Sequence, residues 1–429
     1  MPAAFFMANN RGPIFDLTNC PHARPIRNVQ SWNNQLHNRT EKGKRLMIRS
    51  IAVALFVTGF GTTALADDPE LPRSMVWSAY DLGSSGYAEA TGIANALKKN
   101  YETRIRIVPA GTSIGRMLPM VTGKVTYGFL ANEVFFATEG TYDFATEQWG
   151  PQNLRIVSGR VASVGFSVAG DAGVKEIKDL KGKRIGYVSG NPSVNVKNDA
   201  YLAFGGLTRG DIEPIWFGSY SAMKTALLAN QIDAFGSVPT AANVREIEAS
   251  PRGLVWPEFP PDDTEAWKNV TDVVSFAAPY KETMGAGISE ESPRWLVGYR
   301  YPMITVYQDA VTTDEVYNLI KAIDLSYDDF KNTTSTSFNW ELEKAGRPPY
   351  DAPAHEGTIR YLKEKDLWRD EDQAWQEKRL DRLSKVMTAW EEAQAEFHDW
   401  RAAEKEKGNS VDVEEAWLEF WEKAREEKL

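Results

Sequence analysis

Ser189, Gly190, Asn191 and Ser193 fall in one short stretch between a strand and a helix, within DLKGKRIGYVSGNPSVNVKNDAYLAF (179–204). Small and polar residues at that junction suit one kind of chemistry. Free backbone N–H groups and the positive end of a helix dipole face an anion there. Asn191 is placed to cap the helix, and Pro192 fits its first position, where no donor is needed. Gly205-Gly206 supplies the stop. The same stretch also reads as an ordinary strand-to-helix turn. Two arginines could add a bidentate carboxylate clamp: Arg160, at the end of the apolar run Leu154–Gly159, and Arg300, between Tyr299 and Tyr301. Each reads equally as a structural arginine.

The elements that must position these residues repeat along the chain. Residues 74–81 read as a strand, followed by the small loop Gly83-Ser84-Ser85-Gly86. A helix follows from Tyr87 to Tyr101, with Ala90, Ile93, Ala94 and Leu97 at helical spacing. Arg104–Val108 is a second strand, ending at Gly111-Thr112-Ser113. A helix over Ile114–Thr122 follows, with Pro119 an awkward interior residue. Thr126–Leu130 is a third strand, ending at Asn132-Glu133. Leu154–Val161 and Val164–Val168 read as two strands leaving this first lobe. The second lobe repeats the pattern: strands Arg184–Val188, Glu213–Phe217 and Ile232–Phe235, helices Val194–Phe204, Ser221–Ala229 and Thr240–Ala249, and Ser237 at the third strand's end. Loops at the carboxyl ends of parallel strands are where open α/β sheets bind ligands. Residues 257–265 form a Pro- and acid-rich surface loop. Val297–Tyr307 returns as a strand to the first lobe, and Thr313 is placed to cap a helix reaching Tyr327. Beyond about Asp370 the composition turns charged, with Leu380, Leu383, Met387, Trp390 and Phe397 on one helical stripe. After a break at Lys405–Ser410, a second helix over Val413–Glu427 carries Trp417, Phe420 and Trp421. These helices read as an extension folded back on the body.

Composition narrows the function. The chain has 429 residues, 49 Lys and Arg against 59 Asp and Glu, and a net charge of −10. That balance argues against nucleic acid as a partner. The N-terminus reads as an export signal: a basic region (Lys42, Lys44, Arg45, Arg49), an apolar run from Ile51 to Phe60, and Ala64-Leu65-Ala66 before a cleavage point. Translation could start at Met1 or at Met47. Cleavage after Ala66 would remove Cys20, the single cysteine, and with it disulfides and thiol chemistry. The motifs of metalloproteases, serine hydrolases, phosphate-binding loops and dinucleotide-binding folds do not occur. No enzyme, cofactor or metal is therefore expected, although Glu133 could serve a carboxylate-dependent enzyme. His355 reads as a helix-start or surface residue.

Six motifs occur in order: WSAYDLGSSGYAEATGIANAL (77–97), RIRIVPAGTSIGRM (104–117), VTYGFLANEVFFATEG (125–140), VKEIKDLKGKRIGYVSGNPS (174–193), LLANQIDAFGSVPTAANV (227–244) and PAHEGTIRYLKEKDLW (353–368). Together they resemble the TAXI family of solute receptors, which serve tripartite ATP-independent periplasmic (TRAP) transporters. The resemblance covers about residues 74–368. It implies an α/β fold of the type II periplasmic-binding kind, with two hinge-connected lobes, plus the C-terminal helical extension. The divisions it suggests are 1–66 leader and signal peptide, 74–163 first lobe, 164–271 second lobe, 272–368 return to the first lobe, and 369–429 extension. It further implies a monomer in the periplasm that binds a small organic anion, such as a glutamate-like amino acid, for a TRAP permease. A ligand sensor is the alternative. The ligand-facing positions it implies are Ser84, Ser85, Gly86, Tyr87, Gly111, Thr112, Ser113, Asn132, Glu133, Ser189, Gly190 and Ser237. Glu133 would repel an anion, and Asn191-Pro192 departs from the Gly- and Ser-rich loop usual in the family.

Overall fold

The computed structural model describes residues 68–429. The expected signal segment, its cleavage point at Ala66 and Cys20 lie outside the described residues. Among those described, no helix is long and apolar enough to cross a membrane.

The first lobe starts with β1 (Ser74–Ala79), α1 (Ser85–Tyr101), β2 (Arg104–Pro109), α2 (Ser113–Val121), β3 (Tyr127–Leu130) and α3 (Glu133–Glu139). β4 (Leu154–Ala169) leads into the second lobe. That lobe holds β5 (Arg184–Val188), α4 (Pro192–Phe204), β6 (Glu213–Phe217), α5 (Tyr220–Leu228), β7 (Ala234–Ser237), α6 (Ala242–Glu248), β8 (Leu254–Val255) and α7 (Thr264–Val273). β9 (Ala278–Glu282) and β10 (Arg294–Tyr307) bring the chain back. The remainder is helical: α8 (Thr313–Leu325), α9 (Tyr327–Phe330), α10 (Leu342–Ala345), α11 (Glu356–Glu364), α12 (Asp370–Glu406) and α13 (Val413–Lys428).

The strand order is β2-β1-β3-β10-β4-β7-β5-β6. β1 runs parallel to β2 and β3, and β5 runs parallel to β6 and β7. β10 and β4 are antiparallel insertions between these two parallel groups. The result is an α/β fold of two lobes, each with its parallel strands ending toward the other. Short, buried strands such as β3, and β5 beyond Arg184, are what helices on both faces of a sheet require.

The pair of strands expected at 154–161 and 164–168 is one continuous strand. Ala162 and Ser163 are buried and paired with Tyr299 and Gly298, so the ladder runs through them without a turn. One strand therefore serves both lobes: its first part pairs with β10 and its last part with β7. Two other expectations need correction. The cap of α8 is Thr312, not Thr313, because a capping box needs its hydroxyl three residues before the carboxylate, here Glu315. The acid-rich loop at 257–265 ends in a helix, α7, capped by Asp263. Phe259 and Trp267 pack edge-on against Phe204 with ring centroids at 5.1 and 5.8 Å.

The C-terminal helices fold back on the first lobe. The indole N–H groups of Trp417 and Trp421 donate to the carbonyls of Ala145 and Gly140 at 2.8 and 2.7 Å. Trp390 packs edge-on against both indoles, at 4.7 Å each. Gly150 is needed beneath it: its φ is +64°, and a Cβ there would lie 2.7 Å from the Trp390 ring. Glu139, at the end of α3, is gripped from the same side by Arg379 and Arg382 at 2.8 and 2.7 Å, and Arg425 donates to its carbonyl. Burial alone would push the Glu139 carboxyl up. Hydrogen bonds and charge from Arg382 and Arg379 outweigh it and hold the group below its usual range.

Candidate ligand-binding cleft

The carboxyl ends of the strands meet across one cleft, and there the two lobes bond directly. The Ile114 amide donates to the Gly190 carbonyl, and the Tyr220 amide to the Gly111 carbonyl, both at 3.1 Å. Ser113 Oγ donates to Asn191 Oδ1 at 2.7 Å. The Ser221 amide donates to Asp81 Oδ2 at 3.2 Å. The jaws are closed on one another.

Asn191 precedes α4 as expected, and Pro192 opens the helix, yet the Asn191 side chain caps nothing. Its oxygen is taken by Ser113, and its amide reaches toward the Gly111 carbonyl at 3.5 Å. The residue expected to bind an anion through a helix start is a clasp between jaws.

Behind the clasp lies a cavity of about 60 Å³, walled by Tyr80, Arg116, Lys197, Asn198, Tyr201 and Ser237 among others. Three polar atoms on this wall are buried without a hydrogen-bond partner among the described residues: Tyr80 Oη, Asn198 Oδ1 and Ser237 Oγ; the Tyr201 hydroxyl lies beside that of Tyr299. Buried polar atoms are rarely left unpaired, so these three stand out on the wall as free donors and acceptors. The Asn198 amide donates to the Gly186 carbonyl at 3.0 Å, which turns its oxygen to the cavity as an acceptor. Gly236 makes that possible, since a Cβ there would lie 2.3 Å from this oxygen.

Two buried cations share the wall. Arg116 pairs with Glu133, Nη2 to Oε1 at 2.8 Å, and lies 4.5 Å from the centre of the Tyr80 ring. Lys197 donates to Asn132 Oδ1 at 3.0 Å, with the Tyr299 ring centre at 5.0 Å. Asn132 Nδ2 in turn donates to Asp351 Oδ2 at 2.8 Å. Burial pushes the Lys197 ammonium down to about 8, against the raising influence of Glu133 and Asp351. Burial likewise pushes the Asp351 carboxyl up to about 7, against the Asn132 hydrogen bond and the charges of Arg379 and Lys197. Among the described residues no group of His, Cys, Asp or Glu could hold a metal ion. His355 is a helix-start residue, its Nδ1 accepting from the Gly357 amide at 3.1 Å.

Of the residues singled out in the sequence, Ser84, Asn191, Ser193 and Ser237 line the cavity. Gly111, Ser113 and Gly190 form the clasp. Thr112 caps α2 through the Gly115 amide. Ser189 donates its amide to the Phe217 carbonyl and is not on the wall. Ser85 and Gly86 lie in the first turn of α1, where Gly86 makes room for Tyr80: a Cβ would come within 2.3 Å of that ring. Tyr87 faces a separate surface groove with Thr91, Lys99 and Asp329. Asn132 and Glu133 sit behind the wall, and Arg116 neutralises Glu133, so the expected repulsion of an anion does not arise.

Neither arginine proposed as a clamp reaches the cavity. Arg160 is fully buried against Glu89, Nε to Oε2 at 2.7 Å and Nη2 to Oε1 at 2.6 Å. Arg300 donates to the carbonyls of Gly159, Lys344, Arg347 and Pro349, which holds the chain after α10 against β10. The cations that do reach it, Arg116 and Lys197, lie inside helices and not in the loops at the strand ends. A signal was present in α4: Ser193, Lys197, Asn198 and Tyr201 recur at helical spacing on a face that is buried.

The profile of the NMT1-like family matches residues 82–365. No curated protein matches the chain. Solved structures similar to it include a protein of Bordetella bronchiseptica RB50, at 18% identity and a TM-score of 0.42, covering 70% of this chain and 91% of that one. A periplasmic binding protein from Brucella ovis with glutathione bound is 13% identical, at a TM-score of 0.38 over 58% of this chain and 66% of that one. The alkanesulfonate-binding protein SsuA from Xanthomonas axonopodis pv. citri, bound to MOPS, is 15% identical, at a TM-score of 0.36 over 71% and 96%.

Proposed function

The chain belongs to the NMT1-like family, and from that premise we propose that it is a periplasmic solute-binding protein. It captures a small organic anion, an amino acid or carboxylate of glutamate-like kind, between its lobes and presents it to a TRAP-type permease. The observation that carries this reading is the cavity itself. It is lined from both lobes, and its wall combines buried cations with three polar atoms unpaired among the described residues. The cations favour an anionic group on the solute. Asn198 Oδ1 only accepts, so the solute also carries an N–H or O–H. An amino acid or hydroxy acid meets both demands. Closure removes competing water from these contacts, which strengthens them. The same closure joins the two lobes into one surface that a permease can distinguish from the open form.

The role is binding rather than catalysis. The carboxylates nearest the cavity are already engaged, Glu133 by Arg116 and Asp81 by the amides of Leu82 and Ser221. Mass spectrometry of solute carried through native purification, followed by calorimetry with L-glutamate, L-malate and 2-hydroxyglutarate, tests the reading. Stoichiometric binding with the solute recovered unchanged is expected. A solute recovered chemically altered would assign an enzyme, and no binding by any of the three would remove the proposed ligand class.

A further inference from the structure

Of the two buried cations on the wall, one is already matched. The Arg116 guanidinium gives Nε and Nη2 to Glu133, Nη2 also to Ser113 Oγ, and Nη1 to the Ala110 carbonyl. Lys197 is different. Its ammonium has three donors, and the one hydrogen bond it makes among the described residues goes to a neutral amide, Asn132 Oδ1. It forms no ion pair among the described residues. It is nonetheless buried, with only 5% of its surface exposed. A buried charge without a bonded counter-charge is costly and rare.

We infer that the Lys197 ammonium pairs with the solute's carboxylate, and that Asn132 and Asp351 stand behind it as positioning residues. The inference rests on the proposed binding role and adds the specific contact. α4 places Lys197 one turn beyond Ser193 and one turn before Tyr201, so all three face the cavity. Asp351 fixes the Asn132 side chain by accepting from its Nδ2, which turns Oδ1 toward Lys197. The Asp351 carbonyl is itself held by Arg379 of α12, at 2.7 Å, so the row is anchored at its far end.

The charged and titratable groups that face Lys197 come from several elements. Arg116 lies on α2, Glu133 on α3 and Asp351 in the segment before α11, and the Tyr299 ring belongs to β10. Glu133 and Asp351 favour the ammonium, while burial and Arg116 oppose it, which leaves it titrating at about 8. A carboxylate arriving beside it favours the charged form. Above that pH, binding therefore takes up a proton.

The test is calorimetry of L-glutamate, L-malate and 2-hydroxyglutarate with the full chain, using wild type, Lys197→Met and Asp351→Asn. Titrations at about pH 7 and about pH 9, in buffers of differing ionisation heat, count protons. Lys197→Met is expected to weaken binding by roughly 30-fold or more and to abolish proton uptake. Asp351→Asn is expected to move the pH midpoint of binding downward, because a negative charge that favours the ammonium is gone. A merely structural role would leave that midpoint unmoved. Binding by Lys197→Met with unchanged affinity and pH profile overturns the inference while leaving the binding role intact. Should that variant fail to fold, wild type alone decides: absence of proton uptake at about pH 9 overturns the inference. If none of the three solutes binds wild type, the binding role and the inference fall together.

Discussion

The Asp81 carboxylate accepts the Ser221 amide across the cleft at 3.2 Å, and so caps a helix that belongs to the opposite lobe. Ser219, the residue at the local cap position of α5, makes no capping bond with its own side chain. The first turn of α5 gains this cap only when the lobes meet. A cap of this kind is worth about 1 kcal/mol, and here that energy favours the closed form. Asp81→Ala should therefore weaken solute binding roughly fivefold. Small-angle scattering should show a larger share of open molecules, with little change in thermal unfolding of the solute-free protein. An unchanged Kd would remove the latch.

Gly111 offers a complementary wedge. A Cβ on it would stand 2.7 Å from Ser219 Cβ and 2.9 Å from Asp81 Oδ2, both at the meeting face of the jaws. Gly111→Ala should obstruct closure without disturbing either lobe's own core. Binding by calorimetry should fall about tenfold or more, while chemical denaturation stays within about 0.5 kcal/mol of wild type. Normal affinity in this variant would show that the jaws have slack.

The Glu89–Arg160 pair predicts a stability effect instead. Glu89 accepts from Arg160 twice, and from Thr334, Thr336 and Trp340 besides. Replacing Arg160 with Met leaves a carboxylate buried without its cation. The expected loss is about 3–5 kcal/mol in urea denaturation. The double variant Glu89→Gln with Arg160→Met should lose less than Arg160→Met alone, since no charge is then stranded. A double variant as unstable as the sum of the two single ones would refute this account.

Asp351 predicts a pH dependence of folding. Its folded-state value of about 7 lies above the unfolded value of about 3.9. The folded chain therefore holds this proton more tightly. The associated stability is complete below about pH 4 and is lost as pH rises through about 7. Lys197 runs the other way: its folded value of about 8 is depressed, so its contribution is present above about pH 10.4 and is lost as pH falls through its folded value. In urea titrations of wild type and Asp351→Asn, the stability advantage of wild type should shrink between about pH 5 and about pH 8. A constant difference would mean that Asp351 does not titrate there.

The order of strands and helices was legible because short apolar runs separated by Gly, Pro and polar residues leave few alternatives. β5 and β6 fall at the expected limits, Arg184–Val188 and Glu213–Phe217. The loops of the cleft were legible for the same reason, as they follow those strands. What each side chain does there was not. Arg160 finds its partner 71 residues away, and nothing local announces it. Asn191 has the type and position of a cap, but a tertiary partner, Ser113, takes its oxygen. Lys197 and Arg116 sit in helix interiors, where periodicity shows a face without saying what the face meets.

The pairing of Val164 with Val297 places the points where the chain leaves and re-enters the first lobe side by side. Everything between them is topologically a cassette. A gene could have acquired, lost or exchanged that segment at two neighbouring positions without cutting a strand of the first lobe's parallel sheet. Grafting from a relative at those two positions would exchange Lys197 and Ser237 together, and leave Arg116 and Asp81 with the host.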